Sequence, residues 1–188
     1  ELIVIESQLK PGELGKTIEH IWGYYYVQDI ASFLPVLSFN IKPNEKVIDL
    51  AAAPGSKTSQ IASKMQNKGL LFANDISLGR IKILSANLER CGVTNEIITK
   101  QNAIVLSKKL KNLNYKFNKI LLDAPCSGEG TRNSNYKTGF MLNEKTIKKL
   151  SFLQKDLIIK AIELLEENGE LVYSTCTHAP EENEEVIN

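Results

Sequence analysis

Short β-rich runs alternating with helical ones constrain the fold of this chain more than any other feature. The runs are Lys46 to Leu50, Gly69 to Asn74, Glu96 to Thr99, Lys119 to Leu122 and Glu170 to Tyr173. Such alternation predicts βαβ units and an α/β domain with a mostly parallel sheet. Val47-Ile48, Leu70-Leu71-Phe72 and Ile120-Leu121-Leu122 offer no polar face, so helices must cover both sides of that sheet. Apolar spacing predicts those helices over Ile30 to Leu37, Lys57 to Met65, Leu78 to Cys91 and Thr146 to Glu167. Gly92 and Gly169 are placed to stop the last two. A shorter helix is expected near Glu181, where Pro180 suits a first turn and Glu181-Glu182 complement the dipole.

At 188 residues the chain holds one full core. The expected division is a catalytic domain over 41–188 and, over 1–40, an N-terminal extension in which Trp22, Tyr24, Tyr25 and Tyr26 are read as core rather than as a stacking platform for RNA bases. No apolar stretch approaches the roughly 20 residues that span a bilayer. Three unevenly spaced cysteines form no disulfide framework and no basic leader opens the chain, so a reducing cytoplasm is the expected compartment. Part of the natural N-terminus is expected to be missing, because the chain opens on Glu1. A net charge of +1 neither demands nor excludes a nucleic-acid partner. The lysines at 108, 109 and 111 and between 145 and 149 are read as solvated helix faces. No metal site is read.

Between the first strand and its helix runs Asp49-Leu50-Ala51-Ala52-Ala53-Pro54-Gly55-Ser56-Lys57-Thr58, small residues that let a ligand approach the backbone at a helix N-terminus. A phosphate-binding P-loop would need glycine where Ala51 and Ser56 stand, and a dinucleotide fingerprint needs three glycines where only Gly55 is present. The acid Asp49 followed by Ala51, Ala53 and Gly55 at alternate positions resembles the cofactor loop of class I S-adenosylmethionine-dependent methyltransferases. Asp75, ending the second strand, is expected to take both ribose hydroxyls. Asn102, after the third strand, is expected near the adenine.

Cys126 lies in Asp123-Ala124-Pro125-Cys126-Ser127-Gly128 and Cys176 in Ser174-Thr175-Cys176-Thr177, each after an apolar run; Cys91 has no such setting. A thiolate is the group that can add to cytosine carbon 6 and make carbon 5 nucleophilic enough to take a methyl. Afterwards the proton on carbon 5 must leave and the thiol must be eliminated, which gives a second thiol a possible task. Asp123 is expected to bond the base edge near the amine and ring nitrogen 3. The residues alone do not decide which cysteine attacks.

The two cysteine loops, with Pro180-Glu181-Glu182-Asn183-Glu184 after the second, resemble motifs IV and VI of the RNA (cytosine-5)-methyltransferases of the Nop2/Sun family. Ala51 to Lys57 resembles that family's cofactor motif, and Gly23 to Asp29 the segment before it. The resemblance implies a Rossmann-like class I methyltransferase fold with S-adenosylmethionine as cofactor. It implies that Ala51, Ala52, Ala53, Pro54, Gly55, Ser56 and Lys57 hold the methionine part, Asp75 the ribose with Arg80 nearby, Asn102 the adenine, and that Asp123 is shared with the base. It makes Cys176 the nucleophile and Cys126 the group that helps release product. Departures are Thr177 where the motif has serine, His178 after it, and Asn102 where the family often has aspartate. His178 is read as a hydrogen-bonded loop residue. The family's sheet continues with two further strands, so a fragment is expected. The expected substrate is tRNA, with the chain similar to an archaeal-type tRNA enzyme, since no appended RNA-binding domain is visible. Ribosomal RNA is the alternative substrate, and a non-catalytic RNA-binding module the alternative class.

Overall fold

The computed structural model describes residues 12–131 and 143–188. The beginning of the N-terminal extension and Arg132 lie outside them. A 3₁₀ turn at Leu14–Lys16 and helices α1 (Ile18–Ile21) and α2 (Ile30–Leu37) lead into β1 (Lys46–Asp49), α3 (Ser56–Met65), β2 (Leu70–Asp75) and α4 (Leu78–Arg90). Then follow β3 (Glu96–Lys100), α5 (Ala103–Asn112), β4 (Phe117–Asp123), α6 (Glu144–Ile162), β5 (Leu165–Ser174) and α7 (Glu184–Ile187). The five strands form one sheet in the order β3-β2-β1-β4-β5, with all four pairings parallel. That is the expected α/β architecture. Among the described residues no helix is long and apolar enough to cross a membrane.

The central strands β1 and β4 bury both faces, as their lack of a polar side requires. On β1, Val47 joins Leu71, Ile61, Met65, Leu84 and Leu88 on one side, while Ile48 joins Ile120, Leu122, Leu157 and Ala161 on the other. Val36 and Phe39 belong to the first of these cores, so α2 and the residues after it are packed into the sheet layer. The extension is also tied to α4: Arg90 Nη1 donates to the carbonyls of His20 (2.7 Å) and Tyr25 (3.2 Å). A Cβ on Gly23 would lie 1.7 Å from the Arg90 carbonyl oxygen, at a φ of +79°, so only glycine fits. Trp22 and Tyr24 are 61% and 73% exposed, which corrects their reading as core. Tyr25 and Tyr26 are half-buried, Tyr26 beneath the Arg90 guanidinium.

The long helix ends sooner than its apolar period suggests. Leu164 and Leu165 continue the spacing of Leu157 and Ala161, yet α6 stops at Ile162 and β5 begins at Leu165. Gly169 therefore does not stop a helix. It sits at an irregularity of the β4–β5 pairing, where a Cβ would be 2.9 Å from the Leu165 side chain and 3.0 Å from the Asn118 carbonyl. Gly92, at φ +68°, does follow the end of α4. The sequence reading also passed over α5, whose Leu106 and Leu110 are buried.

Candidate active site

All the expected site residues lie at the carboxyl ends of the strands, where open parallel sheets form their ligand crevices. β1 ends at Asp49, which is 1% exposed and organises the loop that follows. Thr58 Oγ1 donates to Asp49 Oδ2 at 2.8 Å and the Ala51 amide to Oδ1 at 3.3 Å. Burial pushes the Asp49 carboxyl up to about 7, against the lowering effect of the Thr58 hydroxyl. The loop turns back on itself by Gly55 N–H to Ala52 O (2.8 Å) and enters α3 with Gly55 at φ +108°. The Ala53-Pro54 peptide is cis.

Asp75 closes β2 and is 2% exposed. Its Oδ1 accepts the Ser77 amide at 2.9 Å. Arg80 Nη1 stands 3.1 Å from Oδ2, but without the alignment of a hydrogen bond, so Oδ2 is a buried acceptor with no donor among the described residues. The same guanidinium also reaches the Ala53 carbonyl and so ties Asp75 to the β1 loop. A buried carboxylate oxygen with an unused lone pair, beside a loop of small side chains, suits a ligand carrying hydroxyls. Asn102 is committed differently: it is the N-cap of α5, its Oδ1 accepting the amides of Ile104 (2.9 Å) and Val105 (3.3 Å).

β4 and β5 bring the two cysteine loops together. Asp123 is paired in register with Ser174, whose Oγ donates to Asp123 Oδ1 at 2.6 Å. Lys57, from the first turn of α3, places its ammonium 2.8 Å from Asp123 Oδ2. Beyond these strand ends the sulfurs of Cys126 and Cys176 are 2.9 Å apart, and both thiols are free. The hydrogen bond with Cys126 holds Cys176 down to about 7 against its partial burial and the nearby Asp123 carboxylate, with the Lys57 ammonium adding a smaller lowering. Cys126, the donor and the more buried of the two, is driven well above the ordinary thiol range. The direction of the two shifts favours the thiolate on the exposed Cys176 and the shared proton on Cys126. Alkylation of Cys176 by iodoacetamide is expected to rise as pH increases through about 7 and to level off above it. A midpoint near that of a free thiol, measured by mass spectrometry, would contradict this.

The pair rests on a scaffold that the sequence reading did not single out. Glu182 is fully buried and accepts the Ser127 amide (3.3 and 3.1 Å) and Gln154 Nε2 (2.7 Å). Gln154 Nε2 also donates to the Pro125 carbonyl at 2.9 Å, so Gln154 and Glu182 hold the Cys126 loop on the two sides of the thiol. Asn183 performs the same task for the other loop: its Oδ1 accepts the Thr175 hydroxyl (2.6 Å), and its Nδ2 donates to the carbonyls of Thr177 (3.2 Å) and Ala179 (2.9 Å). The loops join through Ser127 Oγ to Thr177 Oγ1 (2.9 Å), so the threonine at this position keeps a bonding hydroxyl. His178 is exposed beside Gly130, away from these bonds. Glu182, expected only to complement the dipole of a short helix, is instead fully buried, because nothing in the Glu181-Glu182-Asn183-Glu184 run marks one carboxylate for burial.

Chemically, the arrangement offers a nucleophile, a thiol donor beside it, a carboxylate fixed by a lysine, and an adjoining crevice with an unfilled buried acceptor. A family model described as 16S rRNA methyltransferase RsmB/F matches residues 36–188. The chain is 44% identical over 186 residues to the Ribosomal RNA small subunit methyltransferase F of Psychromonas ingrahamii, an alignment that covers 97% of this chain and 38% of that protein. The chain thus spans well under half the length of the relatives it matches. Among solved structures it is similar to a methyltransferase homologue from Pyrococcus horikoshii (TM-score 0.82, 40% identity, covering 95% of this chain and 54% of that one). It is also similar to NSun6 from the same organism, solved with SFG (TM-score 0.83, 36% identity, covering 92% and 43%).

Proposed function

Because the chain belongs to the 16S rRNA methyltransferase RsmB/F family, we propose that it acts in S-adenosylmethionine-dependent methylation of cytosine carbon 5 in small-subunit ribosomal RNA. The observation that carries the chemistry is the pair of thiols 2.9 Å apart beside the Lys57–Asp123 ion pair. The expectation of a tRNA substrate gives way on the names of the relatives: bacterial proteins 42 to 44% identical to this chain are called small-subunit rRNA methyltransferases.

The cofactor, when bound, supplies an activated methyl group on a sulfonium. Ala51 to Lys57 would receive its methionine part, Asp75 its ribose hydroxyls on the open Oδ2, and Arg80 would steady Asp75. Asn102 keeps its amide nitrogen for the adenine side while its oxygen caps α5. Cys176, as thiolate, adds to carbon 6, and the electron pair displaced toward carbon 5 makes that carbon the nucleophile. Asp123, fixed by Ser174 and Lys57, orients the base at its amine. Cys126 serves the closing step, in which the carbon 5 proton leaves and the sulfur–carbon 6 bond breaks.

Mass spectrometry of rRNA and tRNA from cells lacking the gene is the test. Loss of one 5-methylcytosine from small-subunit rRNA supports the proposal, whereas loss confined to tRNA would restore the other substrate. Asp75→Ala is expected to weaken S-adenosylmethionine binding by about 1 to 3 kcal/mol, the cost of losing hydrogen-bond partners in a buried site. Unchanged affinity by calorimetry would remove Asp75 from the cofactor site.

A further inference from the structure

Ser32 stands in the first turn of α2 and reaches the active centre from outside the two cysteine loops. Its Oγ accepts Lys57 Nζ at 3.1 Å and Gln28 Nε2 at 3.2 Å, and Gln28 Nε2 also holds the Ser32 carbonyl at 2.9 Å. Two N–H donors fill the acceptor side of this hydroxyl, so the hydroxyl can only donate onward. Among the described residues no acceptor receives that hydrogen; in particular, Ser32 does not turn it back onto the carbonyl one helical turn earlier, the usual outlet for a helical serine.

Lys57 bridges Ser32 to Asp123 Oδ2, 2.8 Å on its other side. The three groups thus form a series: a carboxylate acceptor, an ammonium donor and a hydroxyl donor. The hydrogen-bonding edge of cytosine runs in the complementary order, an amine donor followed by two acceptors, ring nitrogen 3 and the carbonyl oxygen on carbon 2. Uracil presents an acceptor and then a donor in the first two places, which opposes the series at both Asp123 and Lys57. We infer that Ser32 is a specificity-determining residue that donates to the carbon 2 carbonyl oxygen of the target cytosine, with Gln28 positioning it. This deepens the cytosine-methylation reading and rests on it.

The contact also strengthens during reaction. When the Cys176 sulfur–carbon 6 bond forms, the carbon 5–carbon 6 π pair moves into the ring and toward nitrogen 3 and the carbonyl oxygen. Donors at those two atoms stabilise the charge that develops there, and elimination returns the pair.

The test uses the full-length protein and small-subunit rRNA transcribed with either CTP or 2-thio-CTP, since sulfur in place of the carbonyl oxygen is a poor acceptor. With the wild type, the 2-thio RNA should be methylated about 10- to 100-fold more slowly, as expected for losing one transition-state donor contact. Ser32→Ala should lose a similar factor on ordinary RNA and nothing further on 2-thio RNA, with cofactor affinity unchanged by calorimetry; Ser32→Thr should recover most of the rate. The assignment is overturned if Ser32→Ala matches the wild type, or if it loses the sulfur factor a second time. A wild type that neither methylates nor covalently captures either RNA would instead overturn the reaction itself, and this inference with it.

Discussion

Cys176→Ala is expected to eliminate methyl transfer and covalent capture of RNA containing 5-fluorocytosine, while Cys126→Ala should still capture it. The fluorine cannot leave as a proton does, so the sulfur–carbon 6 bond persists and reports which thiol attacked. Cys176 is the candidate because it is exposed and held near 7 by the Cys126 hydrogen bond and the Lys57 ammonium. Removing such a nucleophile costs about 10⁴-fold or more in turnover. The Cys126 variant carries a second expectation with a definite sign. Without the donated hydrogen bond the Cys176 thiol rises toward its ordinary value, so capture should slow near neutral pH and recover in alkali. Capture by the Cys176 variant, or a Cys126 variant with an unshifted pH profile, would reverse the assignment of roles.

Glu182→Ala comes next in expected effect. Its carboxylate receives the Ser127 amide and Gln154 Nε2, and truncation takes the acceptor from the Ser127 amide and leaves Gln154 Nε2 with the Pro125 carbonyl alone. A stability loss of about 2 to 4 kcal/mol is expected, on the scale of hydrogen bonds to a buried charged group. The shift should appear as a lowered urea midpoint, accompanied by slower alkylation of Cys176 because the Cys126 loop is no longer held against it. Glu182→Gln should recover part of the stability, as it retains one acceptor while turning an N–H₂ toward the Gln154 amide. An alanine variant with the parent's midpoint would show that the carboxylate holds nothing.

The central strands were legible because they are buried on both faces: Val47-Ile48 and Ile120-Leu121-Leu122 can pack only there. The end of α6 was not legible, because Leu164 continues the helical period while serving the core from outside the helix. The placement of the two cysteines, Asp75 and Asp123 at strand ends was readable because each ends or follows an apolar run. What holds those residues is written in ordinary amides and carboxylates. Gln154 and Glu182 act through partners that are distant in sequence and adjacent only after folding. Trp22 and Tyr24 show the converse, since their residue type suggests core and their positions deny it.

The anchoring of the Cys126 loop by Glu182 also fixes an order of events during synthesis. The crevice of Ala51 to Lys57 and Asp75 is complete once β4 has joined β1, but Cys126 waits for Gln154, for β5 and finally for the segment beyond Ala179 to supply its carboxylate. As chains emerge and fold from the amino end, a nascent molecule acquires a cofactor pocket well before it acquires a poised thiol pair. Its thiol pair is expected to form only after the elements that hold both cysteine loops have been made.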